Sequence, residues 1–101
     1  MTRNGYYVVL DFDGTVVKHR YPAVGEDIGA VPVLRKLVQN GHDLLLSTMR
    51  SRDSEGVDTL QPALDWFASN DIPLYGVNEN GLPPLRFMVT SILMMVHSVL
   101  R

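Results

Sequence analysis

"VVLDFDGTVV", residues 8–17, carries an apolar run straight into two aspartates one residue apart, with glycine and threonine directly behind them. The run Tyr6 to Leu10 is β-branched and aromatic, with no polar alternation. That pattern predicts a strand buried on both faces, as in a parallel sheet covered by helices. Asp11 ends the strand, Phe12 turns back to the core, and Asp13 points into the same crevice as Asp11. Gly14 permits a backbone turn that a side chain would obstruct, and Thr15 can hydrogen-bond back to that turn. Two carboxylates this close repel unless a cation or a shared proton relieves them. A bare DxD is most often a surface turn. The buried strand before it and the Gly-Thr after it favour a site.

Outward from this stretch the chain alternates. Residues 18–30, "KHRYPAVGEDIGA", are polar, hold Pro22, Gly25 and Gly29, and read as loop. A helix is predicted from Val31 to Asn40, with Pro32 in its first turn, a buried stripe of Val33, Leu34, Leu37 and Val38, and Gly41 as its stop. Asp43 to Ser47 reads as a second strand and Thr59 to Ser69 as a second helix, with Leu60, Leu64 and Phe67 on one face. Residues 73–77 read as a third strand. Strand, helix, strand, helix, strand implies parallel pairing with right-handed crossovers, in the order 1-2-3. His42, His97, the Trp66-Phe67 pair and the methionines of the tail read as structural.

Size and composition narrow the classes. A chain of 101 residues, 46% hydrophobic and 20% charged, is expected to be one globular domain. A formal charge of -2 offers no bulk attraction for nucleic acid. With no cysteine there is neither a disulfide frame nor a thiolate metal site, which fits a cytoplasmic protein. The apolar run at the N-terminus is too short for a signal peptide. The stretch Phe87 to Leu100 is broken by Thr90, Ser91, His97 and Ser98. It falls short of the roughly 20 residues a membrane span needs, so no membrane partner is expected.

In parallel sheets the chemistry lies at the carboxyl ends of the strands, where Asp11 and Asp13 are placed. A hard divalent cation such as Mg2+ relieves paired carboxylates through oxygen ligands. One carboxylate can then attack phosphorus while the other handles the leaving-group proton. "VVLDFDGTVV" resembles the first motif of the haloacid dehalogenase (HAD) superfamily, an apolar run followed by DxDGT. "LLLSTMR", residues 44–50, is similar to its second motif, an apolar strand ending in Ser or Thr. The likeness covers residues 6 to 80 and is strongest to small bacterial HAD hydrolases with "HRYP" close behind the first motif. It implies a Rossmannoid three-layer sandwich with a mainly parallel sheet. It also implies that Asp11 is the nucleophile forming an aspartyl-phosphate and Asp13 the general acid/base. Asp11 and Asp13, the latter through its backbone carbonyl, would hold Mg2+. Thr48, ahead of Ser47, would hydrogen-bond the transferring phosphoryl group, in a phosphate site that includes Gly14, Thr15 and Arg50.

Too few residues separate Thr15 from the first helix for the cap domain that such enzymes often insert. The site would be open, to a small or bulky phosphorylated substrate, or closed by a second subunit in a homo-oligomer. His19, Arg20 and Tyr21 would overhang it, either reading a phosphate or sugar or forming a solvated loop. Arg50 is the better phosphate candidate than Arg52 because it lies closer to the strand end.

The likeness stops in the tail. A HAD enzyme needs a third-motif lysine and fourth-motif acids, yet no lysine follows Lys36 and no acid follows Glu79. Reading the codons from the third base of Leu85, one frame away, Met88-Val89 must give Gly and Met94-Met95-Val96 must give Asp-Gly. Permitted codons elsewhere allow Lys-Val-Tyr-Gly-Asp-Ile-His-Ile-Asp-Asp-Gly, a lysine, a strand and an Asp-Asp in the family's order. The tail is therefore read as frameshifted, against the alternative of a natural, divergent end, and the fold as truncated at a fourth strand unless the tail fills that slot beside strand one.

Two function classes follow: an uncapped, Mg2+-dependent phosphohydrolase acting on a phosphomonoester, or a non-catalytic HAD-like module that keeps phosphate or metal binding. A glycosyltransferase DxD is disfavoured by the small size and by the position directly after strand one.

Overall fold

The computed structural model describes residues 7–78 and 86–89. Strands β1 (Tyr7–Leu10), β2 (Asp43–Leu46), β3 (Gly76–Val77) and β4 (Arg86–Val89) and helices α1 (Ala30–Gln39) and α2 (Gln61–Ser69) follow in the order β1-α1-β2-α2-β3-β4. The sheet runs β3-β2-β1-β4, and every pairing is parallel. β1 is thus a central strand, which explains why Val8, Val9 and Leu10 are all buried and why no alternation marks them.

The register pairs Leu10 with Leu46 and, on the other side, with Val89. The slot beside β1 is therefore filled by Arg86–Val89 of the tail, the one of the two expected outcomes in which the fold is not truncated at strand four. Val89 is in the strand as expected; Thr90, Ile92 and Val96, expected beside it, lie outside the described residues. β3 is shorter than the predicted 73–77. Pro73 has no N–H for the ladder, although Tyr75 N–H still bonds Leu44 O at 2.7 Å.

Both helices pack on one sheet face. Val8, Leu10, Leu44 and Leu46 form one cluster with Ala30, Leu34 and Leu37 of α1 and Ala63 and Phe67 of α2. Successive right-handed crossovers in one direction require this. Among the described residues the sheet carries one helix layer, so the three-layer sandwich expected from sequence is seen as two layers. Val9 and Leu45, pointing to the opposite face, are nonetheless 1% and 2% exposed. α1 starts on a cap two residues upstream of Gly29: the Asp27 carboxylate accepts the N–H groups of Gly29, Ala30 and Val31 at 3.2, 2.7 and 3.5 Å. Asp58 does the same for α2, accepting from Leu60 and Gln61 at 3.0 and 2.8 Å. Those N–H groups and Arg52, which also donates to Asp58, hold its carboxyl below the usual carboxylate value. Among the described residues no helix is long and apolar enough to cross a membrane.

Candidate active site

Three N–H groups, from Thr15, Val16 and Val17, converge on the carbonyl of Phe12 at 3.1, 2.9 and 3.5 Å. The chain leaving β1 therefore winds once around a single buried residue. Gly14 sits in this turn with φ +81, the left-handed region in which a side chain is strained. The turn aims the two carboxylates differently. Asp11 accepts the N–H of Phe12 at 2.9 Å and the Thr15 hydroxyl at 3.4 Å, and it is exposed. Among the described residues it has no cationic partner. Thr15 is 3% exposed and braces Asp11 from below.

Asp13 is bound to Arg50. The Arg50 Nε donates to Asp13 Oδ2 at 2.8 Å and Nη2 donates to Oδ1 at 2.7 Å, a two-pronged pair. The remaining guanidinium donors reach the carbonyls of Pro22 (3.1 Å), Thr59 (2.8 Å) and Ala23 (2.8 Å). All five N–H groups of the arginine are thus used inside the protein. Its plane lies between the Phe12 and Tyr21 rings, 5.2 and 5.1 Å from their centroids. The side chain is fully buried and that of Asp13 is 14% exposed. This corrects the expectation that Arg50 meets a phosphate: no donor is left over. It also answers why two aspartates stand side by side. A guanidinium neutralises one of them, so among the described residues a single uncompensated charge remains, on Asp11.

Arg50 also ties down the segment that overhangs the site. Residues 18–28, within the stretch read from sequence as loop, form a small antiparallel flap with Val16 and Val17: Lys18 N–H bonds Glu26 O at 2.8 Å, Ile28 N–H bonds Val16 O at 3.4 Å, and Val17 bridges Asp27. The flap closes only because Gly25 has no side chain; a Cβ there would lie 1.9 Å from the carbonyl oxygen of Lys18.

β2 supplies the opposite wall. Thr48 N–H donates to the Asn78 side-chain carbonyl at 2.8 Å, and the Thr48 hydroxyl accepts the Arg50 N–H at 3.2 Å. The hydroxyl proton of Thr48 is left to donate outward. Asn78, just past β3 at φ +49, was not singled out from sequence. The available signal was an asparagine ending an apolar run, a residue that tolerates the left-handed region.

A cavity of about 270 Å3 opens at these strand ends, lined by Asp11, Asp13, His19, Tyr21, Thr48, Met49 and Arg50. It brings together Asp11, Asp13 and Thr48 with the flap residues His19 and Tyr21. Gly14, Thr15 and Ser47, also given phosphate roles from sequence, are not part of its lining. Arg52 pairs with Asp58 at 2.8 Å instead. For Mg2+, the Asp11 carboxylate is open and the Asp13 carboxylate is engaged. Among the described residues, no three His, Cys, Asp or Glu side chains gather to hold a metal. One open carboxylate matches the way Mg2+ is held jointly with a substrate phosphate, and not a protein cage that binds it alone.

No family model matches the chain, and no curated protein is similar to it. Among solved structures, a conserved protein coded by a locus of Bacteroides thetaiotaomicron is similar in fold, with a TM-score of 0.72 and 27% identity over 93% of this chain and 91% of that one. The description of that protein names no activity. The likeness supports a small α/β domain compatible with the Rossmann-like class.

Proposed function

We propose that the chain is an uncapped HAD-type phosphohydrolase that cleaves a phosphomonoester at Asp11. One observation carries this reading: Asp11 is an exposed carboxylate with no cationic partner among the described residues, at the carboxyl end of a central strand and in one cavity with Thr48. A carboxylate oxygen of Asp11 attacks phosphorus, the bond from phosphorus to the ester oxygen breaks, and the departing oxygen takes a proton from solvent water at the open mouth of the site. Water then attacks the phosphorus of the aspartyl-phosphate and releases inorganic phosphate. Thr48 donates to a phosphoryl oxygen throughout. Asp13 accepts the proton of the attacking water in the second step through the lone pairs that Arg50 leaves free, since a carboxylate offers about four acceptor positions. Asp11 would hold Mg2+ together with the substrate, and the ion would supply charge neutralisation for the phosphoryl group.

The alternative, a binding module without turnover, is favoured by the Asp13–Arg50 lock and by the lack of any lysine after Lys36 or acid after Glu79. Each missing electrostatic group of this kind costs about 100- to 1,000-fold in rate, so turnover by this chain is expected to be slow. The test is an aryl phosphate assay with Mg2+ on this chain, on Asp11→Asn, and on a chain whose tail follows the shifted frame. Slow turnover that vanishes in Asp11→Asn and rises with the restored tail supports the enzyme. No turnover in either full chain supports the binding module.

A further inference from the structure

The charge balance of the cavity restricts its ligand. Arg50 is committed to Asp13 and to three carbonyls. The flap cations Lys18 and Arg20 both lean on Glu26, at 3.7 and 3.8 Å. Among the described lining residues, His19 is the one other basic side chain beside the open Asp11. A substrate with a second anionic group would find little to meet it and a carboxylate to oppose it.

The rim is apolar. Tyr21 is 49% exposed and Met49 97% exposed, although both are large hydrophobic side chains. The Tyr21 ring is held from behind by the Arg50 guanidinium, so the ring is presented ready-oriented and little freedom is lost when something packs on it. Methionine beside it is an adaptable contact for a ring edge. An exposed tyrosine and an exposed methionine lining one polar cavity offer a flat apolar group a surface to pack on.

We propose that the site takes phosphomonoesters of uncharged aryl groups, the ring lying on Tyr21 and Met49 while the phosphoryl group faces Asp11 and Thr48, and that it discriminates against esters bearing a second anion. This rests on the phosphohydrolase reading for the phosphoryl position.

Binding of three non-hydrolysable probes to the full chain with Mg2+ tests it: benzylphosphonate, methylphosphonate and phosphonoacetate. Benzylphosphonate should bind about tenfold more tightly than methylphosphonate, the discrimination a modest apolar contact provides, and phosphonoacetate should bind most weakly. Tyr21→Phe should keep the preference. Met49→Ala, a change at a side chain that is almost wholly in solvent, should reduce it without disturbing the fold, and Tyr21→Ala should abolish it. Equal binding of the benzyl and methyl probes, tightest binding of phosphonoacetate, or a preference untouched by Met49→Ala and by a folded Tyr21→Ala would overturn the proposal. Asp11-dependent turnover without a ring preference would overturn it alone. A ring preference with no Asp11-dependent turnover would uphold it and overturn the catalytic reading. Failure of all three probes to bind would overturn both.

Discussion

The sheet has a cavity at each end, and they are similar in size. The one at the carboxyl ends measures about 270 Å3 and the one at the amino ends about 220 Å3. The second is lined by Val38, His42, Asp43, Leu44, Pro73, Leu74 and Tyr75. It also holds an acid and a histidine, so volume and residue type do not separate the two. What differs is how the chain arrives. At the carboxyl end β1 and β2 stop at the same level, Leu10 opposite Leu46, and release Asp11 and Thr48 into one space. A buried arginine gathers the flap, the turn after β1 and the approach to α2 around them. At the amino end the rings of Tyr7 and Tyr75 meet edge to face at 5.2 Å, and no arginine lines the cavity among the described residues. Organisation around one charge marks the first cavity as a candidate site.

The largest expected stability effect therefore falls on Arg50. Arg50→Ala strands the largely buried Asp13 carboxylate and three carbonyls, a loss of about 3–5 kcal/mol by analogy with broken buried pairs. Denaturant unfolding reads it directly. The double change Arg50→Met with Asp13→Leu should recover much of that stability. If Arg50→Ala cost no more than Tyr75→Ala, the contrast between the two ends would be lost.

Gly25→Ala comes next. Its Cβ would meet the Lys18 carbonyl at 1.9 Å, so the flap must shift, at about 1–3 kcal/mol, as overpacking typically costs. Hydrogen exchange at the Lys18 amide, bonded to Glu26 O, should speed up in this variant while that at Tyr75, bonded to Leu44 O at the other end, does not.

Much of this was legible in the sequence. Uniform apolar runs identified β1 and β2, and the spacing of Leu34, Leu37 and Phe67 identified the helices, because burial there is set by local periodicity. The two aspartates and Thr48 were placed at strand ends by the same argument. Arg50 was misread because its partners, the Asp13 carboxylate and the carbonyls of Pro22, Ala23 and Thr59, come from three separate segments, and the carbonyls have no side-chain signature. The flap was misread as loop because its closure depends on a single close approach at Gly25, in a stretch whose composition is that of any polar turn.

Smaller effects separate the two ends by pH. The Tyr7 hydroxyl has its titration raised above the ordinary value of 10.0, first by its hydrogen bond with Tyr75. A raised value means that the contribution is complete below that ordinary value and is lost as pH rises through the folded one. Alkaline unfolding of the wild type should therefore be slightly steeper than that of Tyr75→Phe. Asp58, beside the Arg50 anchor at Thr59, behaves in the opposite sense. Its carboxyl is lowered from 3.8, chiefly by the Gln61 amide. Its contribution is complete above that value and is lost as pH falls through the folded one. Asp58→Asn should flatten the acid limb of a thermal-stability profile by a small amount, as befits an exposed cap.

The most direct measurement is acid-quenched labelling with a phosphomonoester carrying labelled phosphorus, in the presence of Mg2+, followed by mapping of the labelled residue. The account expects acid-stable, hydroxylamine-sensitive label on Asp11, none in Asp11→Asn, and none on any residue of the amino-end cavity. Label on a residue other than Asp11, or undiminished turnover in Asp11→Asn, would contradict it.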